Sequence, residues 1–141
     1  MVDVSPQPKL RVVAASLCGV WLSWTFRFLA NRNPYAAELD ELLVRDEVAG
    51  HDLIYGELLI GDPGGRQQFL AAYEMMSRVP AIRHSEVVEF VRSKRLYGQG
   101  VGWINAHLLA SALVSDVPLW TVDERLSKLA SALGIAYVPT A

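Results

Sequence analysis

The sequence predicts an α/β domain in three layers, α/β/α, with a central parallel sheet covered by helices. Short apolar runs rich in β-branched residues alternate with stretches of helical periodicity, the order that builds a parallel sheet. In the first candidate strand, Val12 and Val13 open a continuous apolar run, as suits a strand covered on both faces. No internal repeat or low-complexity tract interrupts that order. A chain of 141 residues fits one domain with a proper core, expected over residues 10–141 behind a short polar tail at 1–9.

Leu10 to Ala14 reads as the first strand, and Ser16 to Leu29 as a helix with Trp21, Trp24 and Phe28 on its bulky side. Asn33-Pro34 opens a second helix carrying Tyr35, Leu39, Leu42 and Leu43, since proline costs nothing at a first helical position. Val48 to Leu53 is a candidate second strand. Ile54 to Ile60 is a short helix closed by Gly61, and Asp62 to Gly65 a loop. Arg66 to Ser77 is a helix with Phe69, Leu70, Tyr73 and Met76 inward. Val79 to Ile82 is ambiguous. His84 to Leu96 is a helix with Val87, Val88 and Val91 inward. Leu119 to Thr121 reads as a strand, Glu124 to Leu133 as a helix ending at Gly134, and Ile135 to Val138 as a last strand.

Composition narrows the function. Hydrophobic residues make up 52% and charged residues 20%, a folded chain, and the formal net charge of −2 excludes a globally basic nucleic-acid binder. The single Cys18 forms no intrachain disulfide and no thiolate zinc cluster, which suits a reducing cytoplasm. The uncharged stretch 12–26 is shorter than the ~20 residues of a spanning helix. It is expected to be a strand and a helix, with a signal peptide or membrane segment the weaker alternative.

The most informative stretch is 96–113, LYGQGVGWINAHLLASAL. Gly98, Gly100 and Gly102 allow sharp turns or close approach. Asn105 stands where a helix N-cap is expected. Leu108, Leu109, Ala112 and Leu113 follow at helical spacing. In parallel sheets function sits at the carboxyl ends of strands, here just after Val13, Leu53 and Trp120, together with the Asn105 helix start. The GQG run is no dinucleotide fingerprint, because it lacks a preceding strand and an acid ~20 residues on.

Three stretches resemble the PIN-domain nucleases, most closely the VapC toxins of bacterial toxin–antitoxin pairs: IYGELLIG at 54–61, LYGQGVGWINAHLLASAL at 96–113 and PLWTVDERLSKLASALGI at 118–135. With the element order they span nearly the whole chain. The resemblance implies an endoribonuclease that gathers acids from separate segments around Mg²⁺ or Mn²⁺. Hard cations take oxygen ligands, activate water and neutralise charge on the scissile phosphate. The family's second-segment acid matches Glu57. The acid after the fourth strand matches Asp123, with Thr121 two positions before it.

Two positions depart from the family pattern. Where the family ends its first strand in Asp, this chain has Ala14, or Leu17 in an alternative register, with Ser16 as the matching hydroxyl. Where the family carries Asp at the helix start, this chain has Asn105, which offers one neutral oxygen. Glu57 and Asp123 supply −2 where the full set would supply about −4, so metal affinity is expected to fall steeply. Nothing in the spacing of Asp3 or Asp116 supports their compensating.

Each residue also has a plainer reading. Glu57 suits a solvated helix face, Asp123 and Asn105 suit helix caps, and Thr121 and Ser16 suit turn hydroxyls. His51, His84 and His107 show no metal-ligand spacing. Arg92, Lys94 and Arg95 form either a solvated helix end or a contact to an RNA backbone. The expectation is a VapC-like ribonuclease of weakened or lost activity, paired with a small antitoxin and homodimeric, with Trp24, Phe28 and Tyr35 in a groove or seam. A non-catalytic PIN-like module binding antitoxin or RNA is the alternative, and an unrelated nucleotide-binding domain a third.

Overall fold

The structure, a computed structural model, describes residues 10–14, 36–61, 64–65, 67–121 and 123–139. The elements are β1 (Val12–Ala14), α1 (Ala36–Val44), β2 (Val48–Ala49), α2 (Asp52–Ile60), α3 (Gln67–Glu74), α4 (His84–Ser93), α5 (Trp103–Ser115), β3 (Leu119–Trp120) and α6 (Glu124–Ala132). The expected helix at 16–29, the Asn33-Pro34 start and the proposed groove residues Trp24, Phe28 and Tyr35 lie outside the described residues, as do Leu17 and Asp3.

The sheet is parallel, in the order β2-β1-β3. Val12 pairs with Val48 and Val13 with Ala49 on one side, and Val13 with Leu119 and Ala14 with Trp120 on the other. Val12, Val13, Val48, Ala49, Leu119 and Trp120 are all buried, which explains the continuous apolar runs in place of alternation. One further segment joins each edge by an isolated parallel bridge, Gly50 to Arg78 and Leu119 to Ala136. Gly50 N–H donates to Ser77 O at 2.7 Å and Tyr137 N–H to Leu119 O at 2.9 Å.

Two expectations are corrected at these edges. The second strand stops before Asp52 and Leu53, which open α2. The last strand reduces to the bridge at Ala136. At the second strand the ladder ends at Gly50 because α2 begins at Asp52. Gly61 does close α2, with a right-handed φ of −79°.

Helix α5 is the axis of the packing. Ala106 through Ala112 are buried without interruption, so the helix is covered all round. Leu108, Leu109 and Ala112 join the main core around the sheet. Ala106 and Ala110 pack with Val87 of α4 in a second cluster. One turn apart on the same face, these alanines let α4 approach closely. Ala110→Leu should therefore overpack that seam and cost about 1–3 kcal/mol, read as a lower urea midpoint at unchanged m.

Candidate functional site

The carboxyl ends of the parallel strands place the segments singled out by sequence. Ala14 ends β1 at the centre of the sheet, paired with Trp120 at the end of β3. Beyond Trp120, Thr121 and Asp123 are joined: the Asp123 N–H donates to Thr121 Oγ1 at 3.1 Å. Asp123 is the N-cap of α6, one carboxylate oxygen accepting from Leu126 N–H at 3.0 Å. The cap leaves its second oxygen available, so capping and a site role coexist on one side chain. Thr121 also lines a cavity of about 400 Å³ beside Trp120, Glu124, Lys128 and Tyr137.

Asn105 is not an N-cap. Helix α5 begins two residues earlier, capped by Gly102 in extended backbone without a side-chain bond. The last glycine of the loop takes the cap position and puts Asn105 inside the first turn. There it is half-buried and its side chain bonds to no other described residue. Gly100, at φ +76°, sets the loop against α6: a Cβ there would stand 2.5 Å from Arg125 Nη1. The loop before Asn105 thus reaches the first turn of the helix that Asp123 caps. Asp116 caps the other end of α5, about 16 Å along the axis from Asn105, and so cannot compensate for it.

Glu57 lies on α2, exposed and without an ion pair to another described residue. No hydrogen bond joins it to Asn105 or Asp123. Among the described residues, no three His, Cys, Asp or Glu side chains gather closely enough to hold a metal ion. The described residues therefore do not by themselves make up a complete divalent-metal site.

His51, without metal-ligand spacing in the sequence, holds a central place in the structure. His51 is fully buried between β2 and α2. Its Nδ1 accepts from Leu53 N–H at 3.1 Å, capping α2. With Nδ1 accepting, the neutral ring carries its proton on Nε2 and donates to Ser111 Oγ of α5 at 3.1 Å. The His51 N–H donates to Tyr73 Oη at 3.0 Å, and burial pushes that phenol's pKa up to about 12. One residue thus ties α2, α3 and α5 together behind the strand ends. The signal was an isolated His just before a helix, outside the residue types usually read as caps.

His107 is buried with Nδ1 unpartnered among the described residues, its ring edge-on to Trp103 at 4.9 Å. Burial is the main cause that lowers the pKa of both His51 and His107. Asp52 partly opposes it at His51, where His107 adds to the lowering, and His84 adds to it at His107. The unfolded chain takes up these protons near pH 6.5, the folded chain only at lower pH. Stability should be full above that value and decline below it, with the fully buried His51 contributing more than His107. Urea midpoints at neutral and mildly acidic pH check this, and a His51→Asn, His107→Asn variant should flatten the difference.

A central parallel sheet flanked by helices is an α/β domain of PIN type. The crystal structure of PAE2754 from Pyrobaculum aerophilum shares that fold, with a TM-score of 0.50 at 15% identity over 94% of this chain and 96% of that one. Ribonuclease VapC32 of Mycobacterium tuberculosis, from strains CDC 1551 and H37Rv alike, is 39% identical over 101 residues, 71% of this chain and 82% of the relative. No family model matches. The chain belongs to the VapC family of PIN-domain ribonucleases. No helix among the described residues is long and apolar enough to cross a membrane.

Proposed function

We propose that this chain is a VapC-type toxin domain that engages RNA and whose metal-dependent hydrolysis is weakened or lost. Glu57 and Asp123 are the acids retained for Mg²⁺ or Mn²⁺, Asn105 is a weakened ligand, and Thr121 positions Asp123. The observation that supports this reading is the pair of residues at the key places: Ala14 ending the central strand and Asn105 in the first turn of the buried helix. Hard divalent ions bind through oxygen ligands, with affinity set by their charge and number, and this rim is short of both.

The same shortage favours a second reading, a non-catalytic module that keeps the fold and binds RNA or an antitoxin. Its partners in either case are a small antitoxin and a second copy of the chain. The test is Mn²⁺-dependent cleavage of RNA by the wild type and by an Ala14→Asp, Asn105→Asp variant. Cleavage by the variant alone supports a depleted enzyme. Cleavage by neither supports the binding module. Equal cleavage by both removes the claim that these positions limit the site.

A further inference from the structure

We propose that Tyr97 and Trp103 form a stacking subsite for one unpaired base of single-stranded RNA, a refinement that rests on the RNA-binding reading above. Both aromatics line a groove of about 240 Å³ between the end of α4 and the start of α5, with Val91, Val101 and Ala106 also lining it. Tyr97 is 64% exposed and Trp103 43% exposed, unusual for large rings beside an apolar pocket. Gly98 and Gly102 also border the groove, and a Cβ at either would meet nothing within 4 Å.

The groove is ordered in advance. The Trp103 ring is flanked by His84 at 5.1 Å and by His107 at 4.9 Å. The loop leading to Tyr97 is fixed by Arg95 at φ +54° and by Gln99 Nε2, which donates to Arg95 O at 2.6 Å. An aromatic held this way loses little freedom when a flat partner lands on it.

Charge selects the occupant. Between Glu89 and Asp116 the chain carries no acid, while Arg92, Lys94 and Arg95 immediately precede the groove's Leu96 and Tyr97. Arg125 reaches the loop at Gly100. None of these four cations forms an ion pair among the described residues. Cations beside exposed aromatics suit a polyanion carrying flat bases, whereas an apolar protein segment would leave the cations unanswered. The groove adjoins the first turn of α5, so a base held there sets the register of the strand passing Asn105.

The test is fluorescence anisotropy with the full chain in EDTA, which removes hydrolysis from the reading. The probes are a labelled oligouridylate and an abasic ribose-phosphate strand of equal length. Wild type should prefer the base-bearing strand, and Tyr97→Ala should bind it roughly 5- to 100-fold more weakly. Tyr97→Phe should keep the preference, and both proteins should hold the abasic strand equally. Tyr97 is exposed, so the alanine variant tests contact and not folding. Wild-type affinity in Tyr97→Ala would overturn the subsite while leaving the RNA reading intact. The same result with loss of a protein partner would assign the groove to a protein segment and also overturn it. No RNA binding by the wild type would remove the RNA reading itself, and the subsite with it.

Discussion

An Ala14→Asp, Asn105→Asp double variant is expected to cleave RNA with Mn²⁺ more than roughly 100-fold faster than the wild type, since losing even an outer partner of a metal ligand costs about 10- to 100-fold. The two single variants should each recover far less than half of that gain on a logarithmic scale. Carboxylates around one cation act as a unit, and a site one acid short still lacks charge and a ligand. Asn105→Asp suits the helix locally. Asp at position 105 would stand in the first turn of α5, where a negative charge is favoured by the helix dipole. Ala14 is the last residue of β1, paired with Trp120. Equal rates in wild type and double variant, with both folded, would show that these positions do not limit the chemistry.

The second large effect concerns His51. His51→Leu fills a similar volume with an apolar side chain but leaves the Leu53 N–H without its cap and buries Ser111 Oγ without its partner. Losing a cap costs about 1 kcal/mol, and a buried orphan hydroxyl about 1–3 kcal/mol. The sum, roughly 2–4 kcal/mol, is a large part of the stability of an ordinary domain. His51→Asn should recover the capping share alone, because its side-chain oxygen can accept from Leu53 N–H without reaching Ser111. Urea denaturation of the two variants separates these contributions. A His51→Leu midpoint equal to wild type would mean that Ser111 and the α2 start find other partners.

The sheet was legible because its strands are buried on both faces. Val12-Val13, Val48-Ala49 and Leu119-Trp120 are continuous apolar pairs, and each forms where expected. The helix cores were legible for the same reason, with Leu39 and Leu42 in α1 and Leu126 and Ala130 in α6 all buried. Boundaries were less so. Asp52 and Leu53 looked like strand, yet His51 caps a helix there through a ring nitrogen. Asn105 looked like a cap, yet Gly102 takes that position because the glycine loop runs to the very edge of α5. Neighbouring residues of similar propensity compete for a helix start, and tertiary contacts decide among them.

The site was legible only in pieces. The pairing of Thr121 with Asp123 follows from a two-residue spacing that favours a side-chain-to-backbone bond. The bond from His51 to Ser111 joins residues sixty positions apart and leaves no local trace. The contact of Gly100 with Arg125 is equally non-local. The contact with Arg125 carries the glycine loop to the first turn of α6.

In the proposed function Glu57 and Asp123 serve one cation, at a site short of negative charge. Calorimetric titration of Mn²⁺ into the Ala14→Asp, Asn105→Asp variant, with and without an added Glu57→Gln, tests it most directly. The expected result is binding in the double variant that falls at least roughly tenfold when Glu57 is neutralised, since each carboxylate adds charge to one site. Affinity unchanged by Glu57→Gln would place that acid on a solvated helix face, away from any common cation, and contradict the account.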